Sequence, residues 1–208
     1  MLKYHDEILG LQGRRVGVAR FISRTTPAPF INLYVGLIMS YFPPNTLGPF
    51  LNPLESVLIC LIMMVATPVL PILMQARRGK VDLDVSVREM RMRFFSFSLA
   101  CYVAAYAVYW WYQCDIMRVL AAAYFGVTLG VMLATLRTKV SVHAAGVAGP
   151  GTALMYVYGM IATPVVILWI AVVWARTLLR QHTLAQSLGG ILIGVAVTLT
   201  VYLMVYGT

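Results

Sequence analysis

The spacing of charge along this chain most limits what it can fold into. Ionisable side chains are absent from six intervals, 25–54, 56–76, 94–114, 119–136, 144–175 and 183–208, each near or above the roughly 20 residues an apolar helix needs to cross a bilayer. Of the 208 residues, 61% are hydrophobic and 11% charged, against about 25% charged in a water-soluble domain. Such a chain cannot clothe a water-facing surface. A net charge of +9 would suggest nucleic acid on a soluble protein, but here it points to lipid headgroups, so the expected partners are membrane lipids and no nucleic acid.

The intervals work as a ruler. Residues 56–76, 94–114, 119–136 and 183–206 each fit one helix. Interval 25–54 opens with the apolar PFINLYVGLIMSYF and continues into the breaker-rich PPNTLGPFLNP, so it holds one span followed by a loop. The 32 residues of 144–175 would make a helix of about 48 Å, too long for a hydrocarbon core of about 30 Å. A break at Gly159 to Pro164 turns them into a hairpin of two short helices. The expected fold is all-α, a polytopic transmembrane helix bundle with six to seven helical segments, six if the first only dips into the membrane. Residues 1–25 form an interfacial N-terminal segment and 26–208 a single transmembrane domain. Gly126 with Gly130, and Gly190 with Gly194, are GxxxG pairs that let helices approach closely.

On this map all but one of the 16 Lys and Arg residues fall on one side, Arg118 being the exception. The positive-inside rule makes that side cytoplasmic in a multi-pass protein of the cell membrane. The N-terminus has no apolar core of a cleavable leader. It spaces Ile8, Leu11, Val18 and Ile22 among arginines, which reads as an interfacial helix on anionic lipid or as a partly ordered tail. Cys60, Cys101 and Cys114 have no spacing that suggests a disulfide or metal site. No metal is expected.

Two of the three histidines, His143 and His182, lie at span boundaries on the basic side, where ionisable residues are functional candidates. They occur in LRTKVSVHAAG (136–146) and WARTLLRQHTLAQ (174–186), and a third polar stretch, RRGKVDLDVSVREMRMR, covers 77–93. If 144–175 is a hairpin, all three stretches meet on one membrane face. Cations around two histidines at helix ends suit phosphoryl transfer: guanidinium and N–H groups bind the oxygens, one imidazole attacks phosphorus and the other protonates the leaving oxygen.

These residues resemble the type 2 phosphatidic acid phosphatases, membrane relatives of the vanadium haloperoxidases. The family's second signature reads PSGH and its third SRxxxxxHxxxD. Here Ser141-Val142-His143, with the small-residue tail Ala144-Ala145-Gly146, and Arg176 followed after five residues by His182 are similar to them. The resemblance covers about residues 77–200. It implies His182 as the nucleophile, His143 as the acid, Arg176 and Ser141 as phosphate ligands, and no metal or other cofactor. The first signature, KxxxxxxRP, is matched only loosely. Lys80 and Arg88 stand seven residues apart with no proline after them, and DLDVSVREMR resembles a variant of compact prokaryotic members. Lys80, Arg88 and Arg91 are its candidates, and Lys139 an alternative. Val140, Val142 and Ala175 replace the Pro and Gly of PSGH and the Ser of the third signature, and Gln186 replaces the Asp that orients the nucleophile. Gln186 also completes a capping box with Thr183, and Ser141 equally reads as an N-cap.

The resemblance implies an integral membrane phosphatase acting on a phosphomonoester or diphosphate of a lipid, phosphatidate or polyprenyl phosphate. The alternative is a catalytically decayed relative that binds lipid as a structural subunit of a membrane complex. A homo-oligomer fits either.

Overall fold

The computed structural model of the protein describes residues 5–85 and 87–206; the side chains of His5, Ile8 and Arg88 also lie outside the described residues. The elements in chain order are α1 (His5–Ile8), α2 (Arg14–Thr25), α3 (Ala28–Tyr41), α4 (Pro53–Ile59), a π-helical stretch (Cys60–Ala66), α5 (Thr67–Arg77), α6 (Arg88–Trp111), α7 (Asp115–Thr135), α8 (Val142–Tyr158), a 3-10 turn (Gly159–Ala162), α9 (Val165–Leu178) and α10 (Leu184–Val205). No strand occurs among the described residues. The stretch from α4 to α5 runs on as one helix, Pro53–Arg77. That helix, α6, α7 and α10 are long and apolar enough to cross a membrane, and α3 and α9 are shorter apolar helices.

Helix ends follow local chemistry. Asn52 and Glu55 form a capping box that starts α4, and Thr183 and Gln186 form one that starts α10. The break in 144–175 falls at the expected place: Gly159 takes φ +63°, and Pro164 precedes α9. The π-helical stretch has no counterpart in the sequence reading. It ends just before Pro68, whose missing N–H leaves the Met64 carbonyl without its helical donor. Asn32 of α3 supplies one instead, from Nδ2 at 3.3 Å.

The hub of the bundle is α8, nearly all of whose residues from Ala144 to Leu154 are buried. Its small side chains admit three neighbours. At Gly146 an added Cβ would lie 2.5 Å from the Cβ of Ala28 on α3. On α9, Trp169 donates its indole N–H to the Val147 carbonyl at 3.0 Å. On α10, Gly190 and Gly194 let the two backbones approach. The other glycine pair, Gly126 and Gly130, faces Val197 and Ile193 of α10. Apolar surface gains little by leaving lipid, so such close approach is what holds spans together.

At one end of the bundle Tyr158 donates to the Phe42 carbonyl at 2.8 Å, and Gly48 sits against the Gln113 carbonyl. The opposite end collects the three polar stretches. The N-terminal helix α2 docks there: Ala19, fully buried, packs with Ala175 and Leu179, flanked by Val16 and Ile22. Its buried face is therefore Val16, Ala19 and Ile22, while Val18, placed on the apolar stripe by the sequence, is exposed. Arg20 and Arg24 are paired with Asp6 and Glu7.

Candidate functional site

The site is built from turns at the basic end of the bundle. The first joins α9 to α10. Arg180 adopts φ +53°, the left-handed conformation that closes a helix, and the Arg176 carbonyl receives the N–H groups of both Gln181 (3.0 Å) and His182 (3.4 Å). The chain folds back on itself, so the five residues between Arg176 and His182 return the histidine to the level of the arginine. Gln186 completes the capping box and also touches the imidazole. Its Oε1 accepts the Thr183 N–H at 3.1 Å in the capping box and lies 3.3 Å from His182 Nδ1.

The second histidine stretch is tied to the first through the backbone: Ser141 N–H donates to the Gln186 carbonyl at 3.2 Å. Ser141 is fully buried, and its Oγ caps α8 by accepting the Ala144 N–H at 3.3 Å. His143 follows in the first turn of α8, within electrostatic reach of Arg176, Asp84, His182 and Arg91. The hairpin thus brings both histidines to one face.

The third stretch contributes differently from what its sequence suggests. Arg91 donates from Nε to the Val85 carbonyl at 2.7 Å, from one terminal nitrogen to the Val140 carbonyl at 3.3 Å, and from the other to the Asp84 carbonyl at 3.5 Å. It staples two loops together. The turn it holds is tight, with the Asp84 N–H on Asp82 Oδ1 at 2.8 Å and Val85 at φ +47°, a conformation costly for a β-branched residue. What the turn presents is Asp84. Its Oδ1 accepts from Arg176 Nη1 at 3.0 Å, and the same Nη1 donates to Ser23 Oγ of α2 at 2.8 Å. The side chains of Asp84 and Arg176 are each only 2% exposed. Lys139 is half-buried, and its burial, with Arg91 nearby, lowers its proton affinity. Lys80 is exposed, and the side chain of Arg88 lies outside the described residues.

Asp84 and Ser23 were not among the residues singled out from the sequence. The one signal available was the pair of aspartates, Asp82 and Asp84, inside a stretch rich in Lys and Arg; nothing local distinguishes Ser23. Among the described residues no group of His, Cys, Asp and Glu is arranged to hold a metal ion.

His182 is 6% exposed. Burial first, and then the charges of Arg176, Arg91 and Lys139, push its proton affinity down to about 3, so at neutral pH the imidazole is unprotonated. Beside this constellation lies a cavity of about 570 Å³, within the range of small-molecule sites. Ser23, Asp84, Arg91 and His143 line its polar end, and apolar side chains such as Leu73, Phe94, Phe95 and Val131 line its walls. The chain matches no family model, no curated protein and no solved structure. What the site can do follows from its own chemistry: an unprotonated imidazole at His182, a buried guanidinium at Arg176, and an apolar cleft that reaches the pair through Asp84 and His143.

Proposed function

We propose that the protein is an integral membrane phosphatase that cleaves a phosphomonoester or diphosphate of a lipid, of phosphatidate or polyprenyl phosphate type, through a phosphohistidine formed on His182. The observation that carries the reading is the 3.3 Å contact of His182 Nδ1 with Gln186 Oε1. An amide oxygen only accepts, so it keeps the proton on Nδ1 and leaves the Nε2 lone pair to attack phosphorus. Arg176 neutralises the phosphoryl oxygens. The P–O bond to the lipid breaks as Nε2 bonds to phosphorus, and His143 relays the P–OH proton of a monoanionic substrate to the departing alkoxide. Water then attacks the phosphohistidine, its proton passes to His143, and inorganic phosphate leaves. The lipid tail occupies the apolar cavity. The basic bias of this end supports, by the positive-inside rule, a reading in which the site faces the cytoplasm from the cell membrane.

Phosphate release from purified protein against a panel of long-chain lipid phosphates tests the reading, with orthovanadate as a mimic of pentavalent phosphorus. Vanadate is expected to inhibit. An absence of turnover on every lipid phosphate, together with co-purification in a fixed ratio with other membrane proteins, would favour a lipid-binding structural subunit.

The pH dependence has a definite sign. The folded protein withholds a proton from His182 down to about pH 3, whereas an ordinary histidine titrates near 6.5. The nucleophile stays unprotonated at pH 5, so kcat/KM has no acid limb from His182 between pH 7 and pH 5. A midpoint near 6.5 on that limb would contradict the assignment. The unfolded chain does take up the proton at about 6.5, so His182 makes stability fall as pH drops from 7 toward 3. Melting temperature against pH measures this.

A further inference from the structure

Arg176 offers five N–H donors in a planar fork, and the structure accounts for them unequally. The two hydrogens of Nη1 are taken by Ser23 Oγ at 2.8 Å and Asp84 Oδ1 at 3.0 Å. Nε is buried and has no acceptor among the described residues. A buried cationic donor without a partner is costly, and Nε with the neighbouring hydrogen of Nη2 forms the side-on edge by which arginine grips a carboxylate or phosphate with two parallel bonds. One edge of the guanidinium is anchored and the other is left for an anion.

The anchors come from far along the chain. Ser23 stands on α2, which is docked on α9 through Ala19. Asp84 stands in the turn that Arg91 staples to the Val85 and Val140 carbonyls. Both are fixed before any ligand arrives, so Arg176 need not be ordered at the moment of binding.

We propose that Asp84 and Ser23 are the positioning residues of the phosphate site: they hold Nη1 of Arg176 so that its Nε edge meets the phosphoryl group. This rests on the phosphatase reading above. It makes the N-terminal helix and the 82–85 turn parts of the anion site, although neither carries a residue of the two histidine stretches. The carboxylate at 84 also keeps the buried guanidinium compensated when the site is empty.

The test is orthovanadate binding to the purified full-length chain, by calorimetry, for wild type, Ser23→Ala, Asp84→Asn and Arg176→Ala, and for Ser23→Ala and Asp84→Asn combined with Arg176→Ala. Loss of one hydrogen bond that orients a charged group corresponds to about tenfold. Ser23→Ala is therefore expected to weaken vanadate about three- to tenfold, and Asp84→Asn, which keeps an acceptor but loses the charge, about tenfold or more. In the Arg176→Ala background neither change has a further effect, because each acts through that side chain. A merely structural role would persist there. Asp84→Asn leaves a buried cation uncompensated, and if it does not fold, Ser23→Ala decides. Wild-type affinity in the single variants, or an equal loss in the Arg176→Ala background, overturns the proposal. If the wild-type protein itself does not bind vanadate, the phosphatase reading falls and the positioning role with it, an outcome distinct because there is then no affinity to lose.

Discussion

His182→Ala should abolish phosphate release, with a drop of about 10⁴-fold or more, as when the nucleophile of a covalent mechanism is removed, while the melting temperature stays near that of the wild type. The second half of this expectation comes from the packing around the imidazole. Its hydrogen-bond partner, Gln186 Oε1, also accepts the Thr183 N–H at 3.1 Å, so the amide oxygen remains satisfied when the ring is gone. No buried acceptor is orphaned. Gln186→Ala should behave the other way round. It removes half of the capping box at the start of α10, at a cost of about 1 kcal/mol, and frees the imidazole to rotate or change tautomer, slowing release about tenfold because one orienting hydrogen bond is lost. Phosphate release by single turnover, with thermal unfolding in parallel, separates the two. Undiminished release by His182→Ala would rule out a phosphohistidine on this residue.

The helical map was legible because it depends on one quantity, the distance between charges compared with the thickness of a bilayer. The break at Gly159 to Pro164 followed from the same comparison, and with it the meeting of both histidines on one face. Capping at Thr183 and Gln186 was legible because the pattern is local. The π-helical stretch was not: it reflects a carbonyl released by Pro68 and claimed by Asn32, a residue 32 positions away from Met64. The anchoring of Arg176 was hidden for a stronger form of the same reason. Its partners Asp84 and Ser23 lie 92 and 153 positions away, and no periodicity or spacing links them. Arg91 illustrates a third limit. A cation in a basic stretch reads as a phosphate ligand, and only the fold reveals three backbone carbonyls around it.

The largest effects on stability are expected at the contact between α8 and α10. A Cβ at Gly194 would stand 2.8 Å from the Gly149 nitrogen and 2.9 Å from the Ala145 carbonyl oxygen, and one at Gly190 would stand 2.5 Å from the Ser141 carbonyl oxygen. These are backbone atoms, which cannot swing aside as a side-chain end does, so the helices must separate. Gly194→Val should cost about 3 kcal/mol, the upper part of the range for overpacking a close contact, and lower the melting temperature in detergent accordingly. Gly189 gives the control: nothing lies within 4 Å of its added Cβ, so Gly189→Ala should be neutral or stabilising by up to about 1 kcal/mol through helix propensity. At Gly190 the displaced carbonyl belongs to Ser141, whose N–H reaches the Gln186 carbonyl. Gly190→Ala therefore parts the two histidine stretches directly, and its loss of phosphate release should exceed what its melting temperature alone accounts for. Equal melting temperatures for Gly194→Val and Gly189→Ala would mean that close packing along this contact does not hold the bundle together. A normal rate in Gly190→Ala would mean that the register of α8 against α10 does not set the site.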